Sequence, residues 1–346
     1  MPEQEYKKII QNLVVPETFS DEEKQKRYQP LQDYLKENIP NKLFRFRGCK
    51  ERSFDEFDKD KLGFAPAAEM NDDFDGMLFF NNKLIMSSFT ASKIQQTINI
   101  IVESAKIGAI PDEIKKVIPE ESFQQFIIAL SSIPPETINI FTNQFINFAT
   151  EEYDQRMQFI SQIVQNQKIA CLSQKIESAA MWGYYAANGT GFALSYDLRE
   201  PNYSEYCIAP VIYGDARLDA TEYVKWLYQH LLLQRILFYM NAQKEYPSIK
   251  HFIPCPDEFM CTKVLIYKAS VWKHEKEWRL VYHEKNGQDN TYPNIIKRPS
   301  AVYLGRNISP IHEKILRCIA EEKNIPVYKM TIKKDNHTYN LYPQML

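Results

Sequence analysis

The stretch from Trp272 to Tyr282, Trp-Lys-His-Glu-Lys-Glu-Trp-Arg-Leu-Val-Tyr, decides how the rest of the chain is interpreted. Successive side chains of a strand leave opposite faces, so the alternation from Trp278 onward predicts a strand with one aromatic and aliphatic face. Glu275, Glu277 and Arg279 then share the other face. Two carboxylates and a guanidinium in one row are the most chemically distinctive pattern in the sequence.

This charged row has two interpretations. Charged side chains are mostly solvated, which favours an ordinary exposed strand face. The alternative is the wall of a cleft, because Trp272 and Trp278 flank the acids and an apolar frame can shift carboxylate pKa values.

Composition sets bounds on the class of protein. The chain has 346 residues, 44% of them hydrophobic and 25% charged, with a net charge of -2, which indicates a globular protein without the basic footprint of nucleic-acid binding. The six cysteines include no Cys-x-x-Cys pair and the N-terminus is polar, so we expect a reducing, cytoplasmic location. The apolar run at 223–240 contains charged residues and predicts a helix that does not enter a membrane.

Hydrophobic periodicity predicts an α+β fold, in which one mixed central sheet has helices on its flanks. We expect a helical lead-in at 1–40, an α+β core at 41–90 and 168–346, and a helical insertion at 91–167. The best-defined strands are predicted at 42–47, 168–173, 191–196 and 277–283. Two further short strands are predicted at 77–80 and 84–88.

The strand at 42–47 places two arginines, Arg45 and Arg47, on one face. Arginine on a strand face is commonly solvated. The alternative is recognition of a phosphate or carboxylate, because the guanidinium donates hydrogen bonds in pairs.

Acidic residues cluster in the segment Asn-Asp-Asp-Phe-Asp-Gly at 71–76. Asp72, Asp73 and Asp75 could hold a magnesium ion, although the spacing does not fit a calcium loop. Asp and Asn also fold turns around their own backbone, and this structural role is favoured.

An aromatic segment at 179–187 predicts a short helix that ends at the following Asn-Gly. Its residues Trp182, Tyr184 and Tyr185 suit a hydrophobic core. They would serve equally well as a stacking surface for a nicotinamide or a base.

Taken together, these motifs resemble a bacterial family of unknown function. That family is expected to show an aromatic-Arg strand, Asn-Asp-Pro-Phe-Asp, Cys-Phe-Ser, Met-Trp-x-x-Tyr-Ala and Glu-x-Glu-x-Arg, and the chain shows all five in that order. Asp73 stands in place of the usual proline. This resemblance implies no particular activity.

A more distant resemblance links the chain to ADP-ribosyltransferases that carry Arg, Ser-Thr-Ser and Glu-x-Glu motifs in this order. It implies an ADP-ribosyltransferase-like core in which Glu277 stabilises the oxocarbenium-like centre of NAD cleavage and Glu275 orients the acceptor. Ser173 would organise the strand that holds Glu277. Arg45 or Arg47 would bind the pyrophosphate, and the remaining NAD contacts would come from Trp182, Tyr185 and Arg279.

The leading functional expectation is therefore an NAD-consuming transferase or glycohydrolase that acts as a toxin or an anti-phage effector. Its partners would be NAD or another nucleotide and an unknown acceptor macromolecule. One alternative is a magnesium-dependent nuclease or phosphohydrolase using Asp72, Asp73, Asp75 and Glu277. Another is a non-enzymatic module that forms homo-oligomers or binds a protein through 91–167.

Overall fold

The computed structural model describes residues 2–90, scattered positions between 92 and 150, and residues 153–240, 254–283, 291–333, 337 and 339–346. The fold is α+β, as the sequence predicts, with helices packed around one large mixed sheet.

The helices of the described regions are numbered here in chain order. They are α1 (Pro2–Asn12), α2 (Asp21–Asn38), α3 (Glu51–Asp58), α4 (Asn82–Ser88), α5 (Tyr153–Gln165), α6 (Ala179–Tyr185), α7 (Thr221–Met240), α8 (Met260–Leu265) and α9 (Pro310–Glu322). Two short 3-10 helices span Ala67–Glu69 and Ser270–Glu275.

The strands are numbered in the same way. They are β1 (Leu43–Arg47), β2 (Lys61–Gly63), β3 (Ala65–Pro66), β4 (Lys168–Ser173), β5 (Phe192–Tyr196), β6 (Tyr206–Pro210), β7 (Ile212–Gly214), β8 (Tyr267–Ala269), β9 (Glu277–Tyr282), β10 (Asn294–Ile296), β11 (Ala301–Leu304), β12 (Val327–Thr331) and β13 (Tyr342–Met345).

The central sheet has the strand order β13-β12-β11-β5-β1-β4-β9-β6, and β3 pairs with β4 beside β1. Only the pair β11 and β12 is parallel among these ladders, which makes the sheet mixed. The four best-defined strand predictions are confirmed to within one residue at β1, β4, β5 and β9. The three strands that carry the Arg, Ser and Glu-x-Glu motifs, β1, β4 and β9, are consecutive neighbours.

Register divides the side chains of these strands between two faces. Phe44 lies opposite Ser173, and Ser173 lies opposite Glu277, so all three side chains share what we call the Glu face. Arg45 and Arg47 alternate with Phe44 and therefore share the other side, the Arg face.

The Arg face is buried under one set of helices. The main hydrophobic core forms between it and α1, α2, α3 and α9, and it includes Ile10, Leu35, Phe57 and Leu316. The predicted lead-in at 1–40 is thus helical, and its apolar side belongs to the main core. The N-terminus of α2 has a capping box: the Ser20 side chain accepts a hydrogen bond from the Glu23 backbone amide, and the Glu23 carboxylate accepts one from the Ser20 backbone amide.

The Glu face is covered by different helices. Ile169 and Val281 pack against Ile160 of α5 and Val224 of α7. Farther along the same face, Phe46 and its neighbours pack against α6. Helix α5 lies inside the range predicted as a helical insertion, but it fills this core. Most of the rest of that insertion lies outside the described residues.

Two strand predictions are wrong. Residues 82–88 form α4, because the Asn81 side chain accepts a hydrogen bond from the Leu84 backbone amide and caps a helix there. Residues 77–80 contribute only an isolated bridge, between Phe79 and Asp219.

Within the described ranges, no helix combines the length and the apolar character needed to cross a membrane. All six cysteines carry free thiols.

Candidate functional site

The Glu-x-Glu segment is bent. Glu275 ends a 3-10 helix, Lys276 adopts a left-handed conformation with φ of 47°, and Glu277 begins β9. The predicted strand alternation therefore holds for Glu277 and Arg279, but Glu275 reaches the same site from a helical turn.

Lys268 of β8 joins the two acids. Its Nζ lies 2.7 Å from Glu275 Oε2 and 3.1 Å from Glu277 Oε2. All three side chains are buried. The bend at Lys276 thus brings both carboxylates to one ammonium group.

Arg279 holds the inner end of the cluster. Its Nε donates to Glu277 Oε1 at 2.8 Å, its Nη2 lies 2.8 Å from Asp75 Oδ1, and its Nη1 donates to the Leu265 carbonyl at 2.6 Å. The Arg279 side chain is 0% exposed. The interpretation of this row as a solvated strand face is therefore wrong, because the row is a buried ion network.

The network contains three acids, Asp75, Glu275 and Glu277, and two bases, Lys268 and Arg279. Burial raises the pKa of Glu277, but Arg279 and Lys268 outweigh it and bring that pKa down to about 2. Burial dominates at Asp75, whose pKa is raised although Arg279 opposes the shift. With every group charged, the network carries one excess negative charge.

Ser173 fixes the position of the segment. It lies opposite Glu277 across the β4–β9 ladder, and its Oγ donates to the Glu275 carbonyl at 2.6 Å. The same Oγ accepts from the Lys175 backbone amide at 3.1 Å. On the other side, the Tyr213 hydroxyl accepts from the Glu277 backbone amide at 2.9 Å.

Tyr185 forms the outer end of the network. Its hydroxyl donates a short hydrogen bond to Glu275 Oε1 and accepts from Asn71 Nδ2 at 2.7 Å. Burial and this bond to Glu275 raise the pKa of Tyr185 well above its ordinary value. Because Tyr185 is half-buried and Asn71 is exposed, this end of the network is nearest to solvent.

Aromatic side chains border that outer end. Tyr184 contacts both Tyr185 and His274, with ring centroids 6.4 Å and 6.3 Å away. His274 contacts Trp272 at 6.1 Å, and Lys268 Nζ lies 4.9 Å from the centroid of the Trp272 ring. Together with Glu275, these side chains form a closed circuit of contacts. We call the rings of Tyr184, His274 and Trp272 the aromatic rim.

The two predicted phosphate-binding arginines lie on the Arg face. Arg45 donates to the carbonyls of Cys171 and Gly63 at 3.2 Å and 2.9 Å, and Arg47 pairs with Glu56 at 2.8 Å. Burial and the nearby Arg47 lower the pKa of Arg45 to about 10. The expectation that Arg45 or Arg47 binds the pyrophosphate of an NAD molecule held at Glu277 is therefore wrong, because the sheet separates the arginines from Ser173 and Glu277.

Arg45 fills a gap in the sheet. β1 pairs with β4 at Ser173, whereas β3 pairs with β4 at Ile169 and Lys168. The Cys171 carbonyl lies between these two pairings, and the Arg45 guanidinium serves as its partner.

Trp182 belongs to the core. It is 2% exposed, its Nε1 donates to the Ile176 carbonyl at 2.7 Å, and its ring makes an edge contact with Phe46. Its predicted stacking against a ligand ring is therefore wrong, whereas the neighbouring Tyr184 presents an exposed ring.

The acidic segment at 71–76 does not gather its carboxylates. Asp75 pairs with Arg279, Asp72 Oδ1 accepts from the Phe74 backbone amide at 3.0 Å, and Asp73 is exposed. Within the described part of the chain, no group of three or more His, Cys, Asp or Glu residues could hold a metal ion. The favoured role in turn formation fits Asp72, and Asp75 acts as an ion-pair partner.

Sequence reasoning missed Lys268, Tyr213 and Asn71. Lys268 follows the apolar run Leu-Ile-Tyr, and a cation in such surroundings is a signal of a buried ion pair. The sequence contains no comparable signal for the other two, since only tertiary structure brings them to the Glu-x-Glu segment.

No curated protein matches the chain, and no solved structure does. A family model described as "Protein of unknown function (DUF2971)" matches residues 181–280, which include most of the aromatic helix α6 and the Glu-x-Glu-x-Arg motif. The resemblance to an uncharacterised domain family is confirmed over this stretch, where the chain is similar to DUF2971.

Proposed function

We propose that this protein is an NAD-consuming enzyme, either a glycohydrolase or an ADP-ribosyltransferase. The observation that carries the proposal is the linkage of Ser173 to both acids: it lies opposite Glu277 and bonds the carbonyl of Glu275. The strands that carry these two motifs, β4 and β9, are adjacent in the sheet. This agrees with the role that the resemblance assigns to the serine, which is to organise the acidic segment.

The charge of the network suits the reaction. When the bond between ribose C1′ and the nicotinamide nitrogen breaks, the bonding electrons leave with nicotinamide and the ribose gains oxocarbenium character. Three carboxylates against two bases leave an excess negative charge that stabilises such a cation. Water or an acceptor nucleophile then forms the new bond to C1′ and gives up a proton.

The two acids take different roles from those expected. Glu277 is held by Arg279 and Lys268 through both of its oxygens. Glu275 instead shares one oxygen with Lys268 and the other with Tyr185, a side chain near solvent. Rotation of Tyr185 away from Glu275 would uncover this carboxylate, so we assign Glu275 to the ribose and Glu277 to its positioning.

Nicotinamide release tests the proposal. The full chain is incubated with NAD, and free nicotinamide is measured by chromatography for the native protein, Glu275→Gln and Glu56→Gln. Glu56 is a matched control, because it is a poorly exposed acid paired with an arginine, but on the Arg face. We expect Glu275→Gln to lower release by at least about 100-fold, which corresponds to roughly 2.7 kcal/mol of barrier. Glu56→Gln should retain the native rate.

A non-enzymatic role is the second candidate. One observation favours it: the side chains of the network are buried, and a buried ion network can have a purely structural role. The buried side chains are Asp75, Lys268, Glu275, Glu277 and Arg279. Absence of nicotinamide release from a folded native protein would contradict the NAD-consuming proposal and leave this one. Equal, measurable rates of release by the native protein and Glu275→Gln would instead contradict the assignment of Glu275 to the ribose.

A further inference from the structure

We propose that the aromatic rim binds a planar, positively charged heteroaromatic ring and discriminates against the neutral form of that ring. This inference deepens the proposed function, since the oxidised nicotinamide ring of NAD is such a cation. It assigns the recognition to Tyr184, His274 and Trp272.

Exposure is the first argument. Tyr184 is 68% exposed although it sits on a helix whose neighbouring Trp182 is buried. A single exposed aromatic residue is unremarkable on a protein surface. The Tyr184 ring, however, contacts the His274 ring at 6.3 Å, and the His274 ring contacts the Trp272 ring at 6.1 Å. A ligand ring at this surface would therefore have more than one aromatic partner.

Charge is the second argument. The faces of aromatic rings carry negative potential and attract cations. Behind the rim, the Tyr185 hydroxyl donates a hydrogen bond to Glu275. The ion network to which Glu275 belongs contains three acids and two bases. Lys268 already occupies one side of the Trp272 ring, which shows that this ring accepts a cation.

The exposed lysine beside Trp272 in sequence, Lys273, does not cancel this attraction. Lys273 lies between Trp272 and His274 in sequence, but its Nζ pairs with Glu3 Oε1 at 3.2 Å. A cationic ring stacked on Tyr184 would therefore meet aromatic faces and a net negative network, whereas a neutral ring would gain only the stacking.

Binding of two small probes to the full chain tests the inference. N1-methylnicotinamide carries the positive charge of the NAD pyridinium, and nicotinamide has the same ring without it. By calorimetry we expect N1-methylnicotinamide to bind at least about tenfold more tightly, more than the roughly fourfold gain that burial of one methyl group gives. Equal affinities, or no detectable binding of the cationic probe, would overturn the inference.

Variants locate the site. Tyr184→Phe should retain the preference because it keeps the ring, and Tyr184→Ala should lose it. Tyr339→Ala is the control, since Tyr339 is a fully exposed tyrosine outside the rim. Unchanged binding in Tyr184→Ala would contradict the assignment.

The outcome can be separated from that of the proposed function. Selective binding of the cation without nicotinamide release from NAD would uphold the rim as a cation site and remove the enzymatic proposal. Nicotinamide release from NAD without any preference for the charged probe would uphold the enzymatic proposal and remove the rim as a cation site.

Discussion

Glu277 and Arg279 lie two residues apart on one strand and form a two-point ion pair along the Glu face. Arg279 Nε meets Glu277 Oε1 at 2.8 Å, and Arg279 Nη2 meets Glu277 Oε2 at 3.2 Å. The pair is closed off from water on a strand that pairs with β4 on one side and β6 on the other.

Removal of Arg279 should therefore destabilise the fold strongly. Arg279→Met leaves Glu277 and Asp75 without their shared buried cation, at an expected cost of roughly 3 to 5 kcal/mol in the free energy of unfolding. Urea denaturation measures the change. Arg317→Met is the control, because Arg317 is exposed and lies 3.8 Å from Glu313, so its loss should change stability by about 0 to 1 kcal/mol. Similar effects of the two substitutions would contradict the buried network.

Glu277 should make stability depend on pH in the acid range. Its folded pKa of about 2 lies below the roughly 4.3 of an unfolded glutamate, so its ionised form stabilises the fold above about pH 4. That contribution is lost as the pH falls towards 2. The difference in unfolding free energy between the native protein and Glu277→Gln should thus shrink between pH 5 and about pH 2. A difference that stays constant over this range would refute the lowered pKa.

Trp278 should be a major source of core stability. It is 2% exposed and lies in the main hydrophobic core on the Arg face. Trp278→Ala should cost roughly 3 to 5 kcal/mol, measured as a lower urea midpoint. Val271, which is 73% exposed, provides the comparison, and Val271→Ala should stay within about 0.5 kcal/mol of the native value. An unchanged midpoint for Trp278→Ala would be incompatible with this packing.

The Ser173 hydroxyl should stabilise the bend before Glu277. Ser173→Ala leaves the Glu275 carbonyl and the Lys175 amide without their partner, which should cost about 1 to 3 kcal/mol in unfolding free energy. The exposed Ser204 is a matched control. If Ser173→Ala and Ser204→Ala gave the same small change, the hydroxyl would have no part in holding the acidic segment.

Local patterns are sufficient to predict four strands of the central sheet. β1, β4, β5 and β9 each show alternation or a compact apolar run bounded by polar residues, and such signals are contained within the strand itself. The segment 84–88 was predicted incorrectly because its short apolar run fits either a strand or a helix. The cap provided by Asn81 decides for the helix, and capping depends on backbone geometry that the run does not reveal.

The site was only partly predictable, for a different reason. Alternation places Arg45 and Arg47 on one face of β1, but it does not show whether Glu277 of β9 lies on the same face of the sheet. The pairing of Phe44 with Ser173 decides this, and register across distant strands is a tertiary property. Lys268 and Asp75 are likewise recognisable as charged residues in the sequence, whereas their shared network depends on the folded sheet.

The network has a consequence for the order in which the protein folds. Its contacts join Arg279 to Asp75 across 204 residues, Ser173 to Glu275 across 102 and Tyr185 to Glu275 across 90. Contacts between such distant segments require large loops to close and so form late. The local helices can therefore assemble while the Glu-x-Glu segment is still hydrated, and the dehydration of these charges completes the native state.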